Sequence, residues 1–424
     1  MAQLALERAP PASVPLRFLH LAPAWGVLAA ALLIKDGGAL LASRWSLATV
    51  ALVHVFTLGV LGNAMLGSLL QFLPVAAESP PRLGRVQRWL PLAYNVGVLG
   101  LVGGLLRWPA LLVPAAGLLA ATLATFALGA LAGLRFDGRQ HLLRGGLALA
   151  LLMLLATALL GLVLVLGLAG WLAVSLPRLV DVHAAVGVLG GVVLLAGSVG
   201  SVVLPMFQGT APPPRGLLAA WIAGLLAALV LATGLRWMER PVAMGAVLAL
   251  PLAAFAIGVL VLQWRAPHPR NPTLVRAWRL GAFALLIAAT CAGAAPWWPQ
   301  PRLPLVGGVL VIAIGLPALV LGMTLEIAAF LAWLELQGAR PRGQRVPGVD
   351  ALMPERRKAR LLAWHLVAAL ALIVAVAWPR DAGVRGAGLV LALAHGATLF
   401  ELHALRRRVR GIAAGLRQPA AAAA

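Results

Sequence analysis

Two histidines sit where an ionisable ring is costly. His54 lies inside the apolar stretch from Trp45 to Ala77, and His183 lies near the start of a second one from Arg178 to Gln208. An ionisable side chain at hydrocarbon depth marks a candidate functional site, and a neutral imidazole is the commonest protein ligand for a transition metal. The two stretches match in pattern. Each sets its histidine ahead of apolar residues punctuated by glycine and serine, and each closes on Leu-Pro (Leu73-Pro74 and Leu204-Pro205). In the second, His183, Gly187, Gly190, Gly197, Ser201 and Pro205 fall on one side of a helix. That face leaves room for a flat macrocycle beneath the imidazole, and it equally suits the close small-residue packing of membrane helices. His54 reads as a ligand to haem iron or copper, or as an interfacial ring hydrogen-bonded to a neighbouring helix.

The remaining candidates are thinner. His395, in L-A-H-G-A-T-L-F-E-L-H, is a possible further ligand or a core hydrogen-bonding residue, and His365 lies nearby in the preceding apolar stretch. Asp181 is either a carboxylate supporting His183 or an interfacial acid beside Arg178. Glu326 and Glu401 are candidates for a proton path, with simple interface placement as the alternative. Asn63 and Asn95 are polar at membrane depth, which hydrogen bonding between helices explains. His403, followed by Arg406, Arg407 and Arg408, reads as structural, and His20, His141 and His268 fall at edges or in loops. The single cysteine, Cys291, excludes a disulfide framework within one chain. No phosphate loop, dinucleotide fingerprint, H-E-x-x-H or serine-nucleophile motif occurs.

The elements that must position these residues are membrane spans. The 424 residues are 62% hydrophobic and 11% charged, with a mean hydropathy of +0.96, against roughly 25% charged residues in soluble domains. The net charge of +22 does not imply nucleic acid, because the arginines sit in short loops between apolar spans. No cleavable leader is expected at the N-terminus. A span needs about 20 apolar residues, which predicts twelve, over 17–35, 46–76, 87–106, 109–134, 145–170, 179–207, 215–235, 241–264, 277–296, 304–334, 360–379 and 384–405. Most of the 34 Lys and Arg fall in the termini and the even-numbered loops, the largest cluster running from Arg340 to Arg360. Both termini are therefore expected in the cytoplasm, in a bacterial inner membrane. His54 then stands on the order of 10 Å below the outer end of span 2, and His183 is expected shallower in span 6.

Histidine spans recur four helices apart, and span 10, similar in length and glycine spacing but without histidine, occupies the next position. The expected fold is all-α, a single twelve-helix transmembrane domain of three four-helix repeats (about 1–140, 141–270 and 271–410), followed by a disordered Ala-rich tail over 411–424. This plan resembles subunit I of the haem–copper oxygen and nitric oxide reductases. The His54 segment with Gly62-Asn63-Ala64 is similar to the span-2 haem helix of the cbb3-type branch, and His183-Ala184-Ala185-Val186-Gly187 is similar to its span-6 H-x-A-V-G, whose histidine is a copper ligand. The chain also resembles NnrS-type membrane proteins of the nitric-oxide response. The resemblance covers the whole chain in topology and these two helices in sequence. It implies haem or copper at His54 and His183, with His395 as a haem ligand opposite His54, and respiratory or denitrification membrane subunits as partners. The chain departs from the family at span 7 and span 10, where the family's histidines are missing. Those losses remove the three-histidine copper site and the high-spin haem ligand, so oxygen reduction is not expected. The implied function is a divergent, accessory member lacking the binuclear centre, and the alternatives are a permease or a membrane scaffold without ligand.

Overall fold

The computed structural model describes residues 5–136, 140–341 and 343–417. Every regular element among them is helical. Eleven helices are long and apolar enough to cross a membrane: α1 Ser13–Leu41, α2 Leu47–Val75, α4 Pro109–Gly133, α5 His141–Leu168, α6 Leu176–Gln208, α7 Arg215–Trp237, α8 Pro241–Trp264, α9 Pro272–Ala294, α10 Leu303–Ala339, α11 Glu355–Ala377 and α12 Asp381–Leu416. A shorter apolar helix, α3 Leu90–Leu106, takes the place of the remaining expected span. The chain is thus an all-helical polytopic membrane protein.

Leucine and alanine, which lose little freedom in a helix, fill these spans. Proline falls in the first turn of α3, α6, α8 and α9, where its missing N–H is not needed. Ser46 caps α2 by accepting the Thr49 amide at 3.1 Å. Most boundaries shift by a few residues from the sequence expectation, and two of the shifts matter here. Helix α6 starts at Leu176 rather than 179, so His183 is the eighth residue of its helix, as His54 is of α2. The expected depth mismatch between them disappears. The last helix continues to Arg417, past the point where the tail was expected to begin, and residues 418–424 lie outside the described residues.

The helices pack in chain order round a closed ring, with α12 returning to α1. Helix α10 also touches α2 and α12, so α1, α2, α10, α11 and α12 surround one interior sector. Three helices share an irregularity. Their hydrogen bonds widen to a π-helical pattern over Val55–Gly62 in α2, Val186–Val193 and Leu204–Gln208 in α6, and Val309–Gly315 in α10. Among the described residues no other helix carries such turns, which are rare and often accompany functional sites.

The two ends of the bundle differ. Exposed tryptophans, Trp45, Trp108, Trp171, Trp237, Trp297, Trp298 and Trp378, occupy all six loops at the end where α2 and α6 begin. Such a collar marks a membrane–water boundary. The opposite end carries the arginine-rich loops.

Candidate metal centre

The rings of His54 in α2 and His183 in α6 face one another. Their ring centres are 6.3 Å apart and their planes are inclined by 26°. His54 Nδ1 lies 2.8 Å from the Val50 carbonyl oxygen. A carbonyl only accepts, so Nδ1 carries the proton and Nε2 keeps its lone pair. His183 Nδ1 is buried and makes no hydrogen bond. Two imidazoles sharing one metal ion, each at roughly 2 Å from it, put their ring centres about 6 Å apart when the ion lies in line between them. The observed separation matches that spacing, with the ring planes close to parallel.

The glycine face of α6 is filled by side chains. A Cβ on Gly187 would meet Thr157 Cγ2 at 2.9 Å, one on Gly190 would meet Met153 Cγ at 2.8 Å, and one on Gly197 would meet Trp221 at 2.5 Å. The expected room for a macrocycle is therefore taken by α5 and α7, and these glycines serve close packing. Gly161 of α5 likewise lets the His183 ring approach, since a Cβ there would stand 3.2 Å from Cε1. The residues present fit an ion and not a porphyrin against this face.

Above the pair lies a clamp of charges. Asp181 accepts from Arg44 at 2.9 Å through one oxygen and from Arg236 at 2.8 Å through the other. Its carboxylate thus ties the loop before α2 to α6 and α7 and makes no hydrogen bond to His183. Arg178 pairs with Glu239 instead, which also meets Arg236 at 2.9 Å. The Arg178 guanidinium, and Arg236 after it, hold the Glu239 carboxyl below its ordinary range. Arg44 and Arg178 stack on Trp45 and Trp237, at 4.1 and 5.4 Å from the ring centres.

His395 does not stand opposite His54. Its ring meets that of His365, centres 4.8 Å apart and planes at 87°, against the backbone of Gly26 in α1. His365 Nε2 lies 3.0 Å from Thr398 Oγ1, which itself donates to the Ala394 carbonyl at 2.9 Å. Both rings border a cavity of about 50 Å³ among α1, α2, α9, α10, α11 and α12. Further from the collar, Glu326 pairs with Lys358 at 2.6 Å, and Lys358 also reaches Glu355 at 2.7 Å. Glu401 is held by Arg357 and Arg408, both at 2.8 Å. Both acids expected as proton-path candidates are thus engaged in ion pairs.

Sequence reasoning missed several partners. His20 and His403 approach to 5.1 Å across α1 and α12, although neither carried a pattern. His365 was legible only as a lone residue, and Lys358 only as part of a basic loop, yet it is one of two lysines in the chain. Gly26 matters because a Cβ there would strike His395 at 2.1 Å, which no sequence period announces. Asn63 and Asn95 do bond between helices, reciprocally at 2.9 Å, and Trp25 Nε1 donates to Asn95 at 2.6 Å. Among the described residues no group of three or more His, Cys, Asp or Glu side chains stands where it could hold a metal ion together, so any ion would be held by a pair of rings. Compared with models of protein families and with curated proteins, the chain matches none.

Proposed function

We propose that this chain is a copper-handling inner-membrane protein with the haem–copper oxidase subunit I-like plan and no binuclear centre, acting as an accessory to respiratory or denitrification membrane complexes. The observation that carries the reading is the His54–His183 pair. It offers two neutral nitrogens from two helices, with no carboxylate hydrogen-bonded to either ring. Imidazole suits copper among other metals, and a cuprous ion accepts two in-line donors. Burial favours the monovalent ion, because the cost of desolvating an ion climbs steeply with its charge. The π-helical turns confined to α2, α6 and α10 support three related four-helix blocks, and the closed ring in chain order agrees with that plan. With no histidine in α7 or α10, the chain binds and passes the ion rather than reducing oxygen on it.

Metal analysis and a visible spectrum of the purified protein test the reading. Copper bound by the wild type and reduced in His54→Ala and His183→Ala is the expected result. A Soret band lost in His54→Ala would replace copper by haem. Colourless, metal-free protein would leave the permease or scaffold reading, of which the cavity bordered by His365 and His395 favours the permease.

A further inference from the structure

We propose that His365 and His395 form a second cuprous-ion station, deeper in the bundle than the His54–His183 pair. The inference rests on the copper reading of that outer pair and names a second site for the same ion. His395 is only 6% exposed, and among the described residues no hydrogen bond reaches its ring nitrogens. Buried polar groups almost always find a partner, and here the ring borders a partly open cavity. Something small must meet the imidazole from the cavity side.

The cavity's chemistry limits what that is. Its polar lining consists of His365, His395, Thr324 and Thr398, and the rest is mainly alanine, leucine, isoleucine, valine and proline. Thr324 donates to the Val320 carbonyl and Thr398 to the Ala394 carbonyl, so both hydroxyls present only lone pairs. Thr398 then receives the Nε2 proton of His365, which leaves the Nδ1 lone pair of His365 free. A histidine whose second nitrogen is fixed by a hydrogen bond is the usual form of a metal ligand. All available groups are therefore electron-pair donors without charge, and no carboxylate borders the cavity. Glu326, the carboxylate on the neighbouring stretch of α10, is committed to Lys358. A monovalent ion that accepts nitrogen donors meets these conditions at a smaller desolvation cost than a divalent one.

The edge-on rings, 4.8 Å apart, make a bent pair and not an in-line one. A bent pair leaves a coordination position open toward the cavity, which has room for roughly three waters. By helical rise, His395 stands roughly 21 Å from the start of α12, while His54 stands roughly 10 Å from the start of α2. The two stations thus differ in depth by about 10 Å, on helices that both pack against α1. An outer site whose rings stand 6.3 Å apart and a bent inner site with an open position would carry the ion from the collar end into the membrane interior.

The test titrates full-length, metal-stripped protein in detergent with cuprous ion, anaerobically, against a chromogenic cuprous chelator. The expected stoichiometry is two ions per chain in the wild type, one in His395→Gln, one in His54→Gln and none in the double variant. His365→Gln repeats the experiment from the other ring and must also cost one ion, so a single misfolded variant does not decide the outcome. X-ray absorption of His54→Gln should show the bent site alone, with a higher coordination number than His395→Gln. If the wild type binds one ion, lost in His54→Gln and kept in His395→Gln, the cavity holds only water and the second station is wrong while the outer one stands. If the wild type binds none, both fail.

Discussion

Lys358 carries its ammonium to a position only 2% exposed, where Glu326, 4% exposed, meets it. Breaking such a pair leaves a buried charge without compensation, at about 3–5 kcal/mol. Lys358→Met should therefore destabilise the detergent-solubilised protein by about that amount, and adding Glu326→Leu should restore most of the loss. Equal melting of wild type and Lys358→Met would show that the pair is not buried. The asparagines make a neutral counterpart. Asn95→Leu strands the Asn63 amide and the Trp25 indole together, at about 1–3 kcal/mol for each buried group left unpaired, which chemical denaturation can measure. The polar character of Asn63 and Asn95 at depth was legible from their positions alone. The Lys358–Glu326 pair was not, since 32 residues and a change of helix separate its members.

At the scale of elements, the spacing of α2, α6 and α7 is set near the collar by Asp181. Its two arginine partners come from opposite sides, and Arg236 is itself 7% exposed. Asp181→Asn should cost about 3 kcal/mol or more and, on the proposed copper reading, should weaken ion retention at His54 and His183 without removing either ring. Gly190→Val tests the other side of α6. Its first side-chain carbon would press on Met153 at 2.8 Å, and overpacking of this kind costs about 1–3 kcal/mol. Acid acts on the same end through Glu239. Arg178 foremost holds its folded-state pKa below the unfolded value, so its contribution is present above the unfolded value and lost as pH falls through the folded one. Protection of the α7–α8 loop amides, taken relative to their intrinsic exchange rates, should fall with acidification across the carboxylate range, and in Glu239→Gln that fall in protection should vanish. The carboxylate is exposed, so the change stays local.

For the whole molecule, the arginine-rich loops lie at the end opposite the tryptophan collar, and their positive charge predicts that the collar end faces away from the cytoplasm. In a Cys291→Ala background, Leu172→Cys in the collar should react with an impermeant maleimide on intact cells. Arg345→Cys should react only after lysis, and the reverse pattern would invert the topology. What the sequence determined by itself was the membrane class, the number of spans to within one short helix, the basic end, and the placing of His54 and His183 inside apolar spans. These follow from apolar run length, loop charge and the cost of an imidazole in hydrocarbon, all local properties of the chain. Only the tertiary structure decided which ring meets which. It joined His54 to His183, turned His395 toward His365, and closed the glycine face of α6 with side chains from α5 and α7. Those pairings depend on how helices remote in sequence rotate and approach, and a helical period fixes the face of a residue without fixing what stands opposite it.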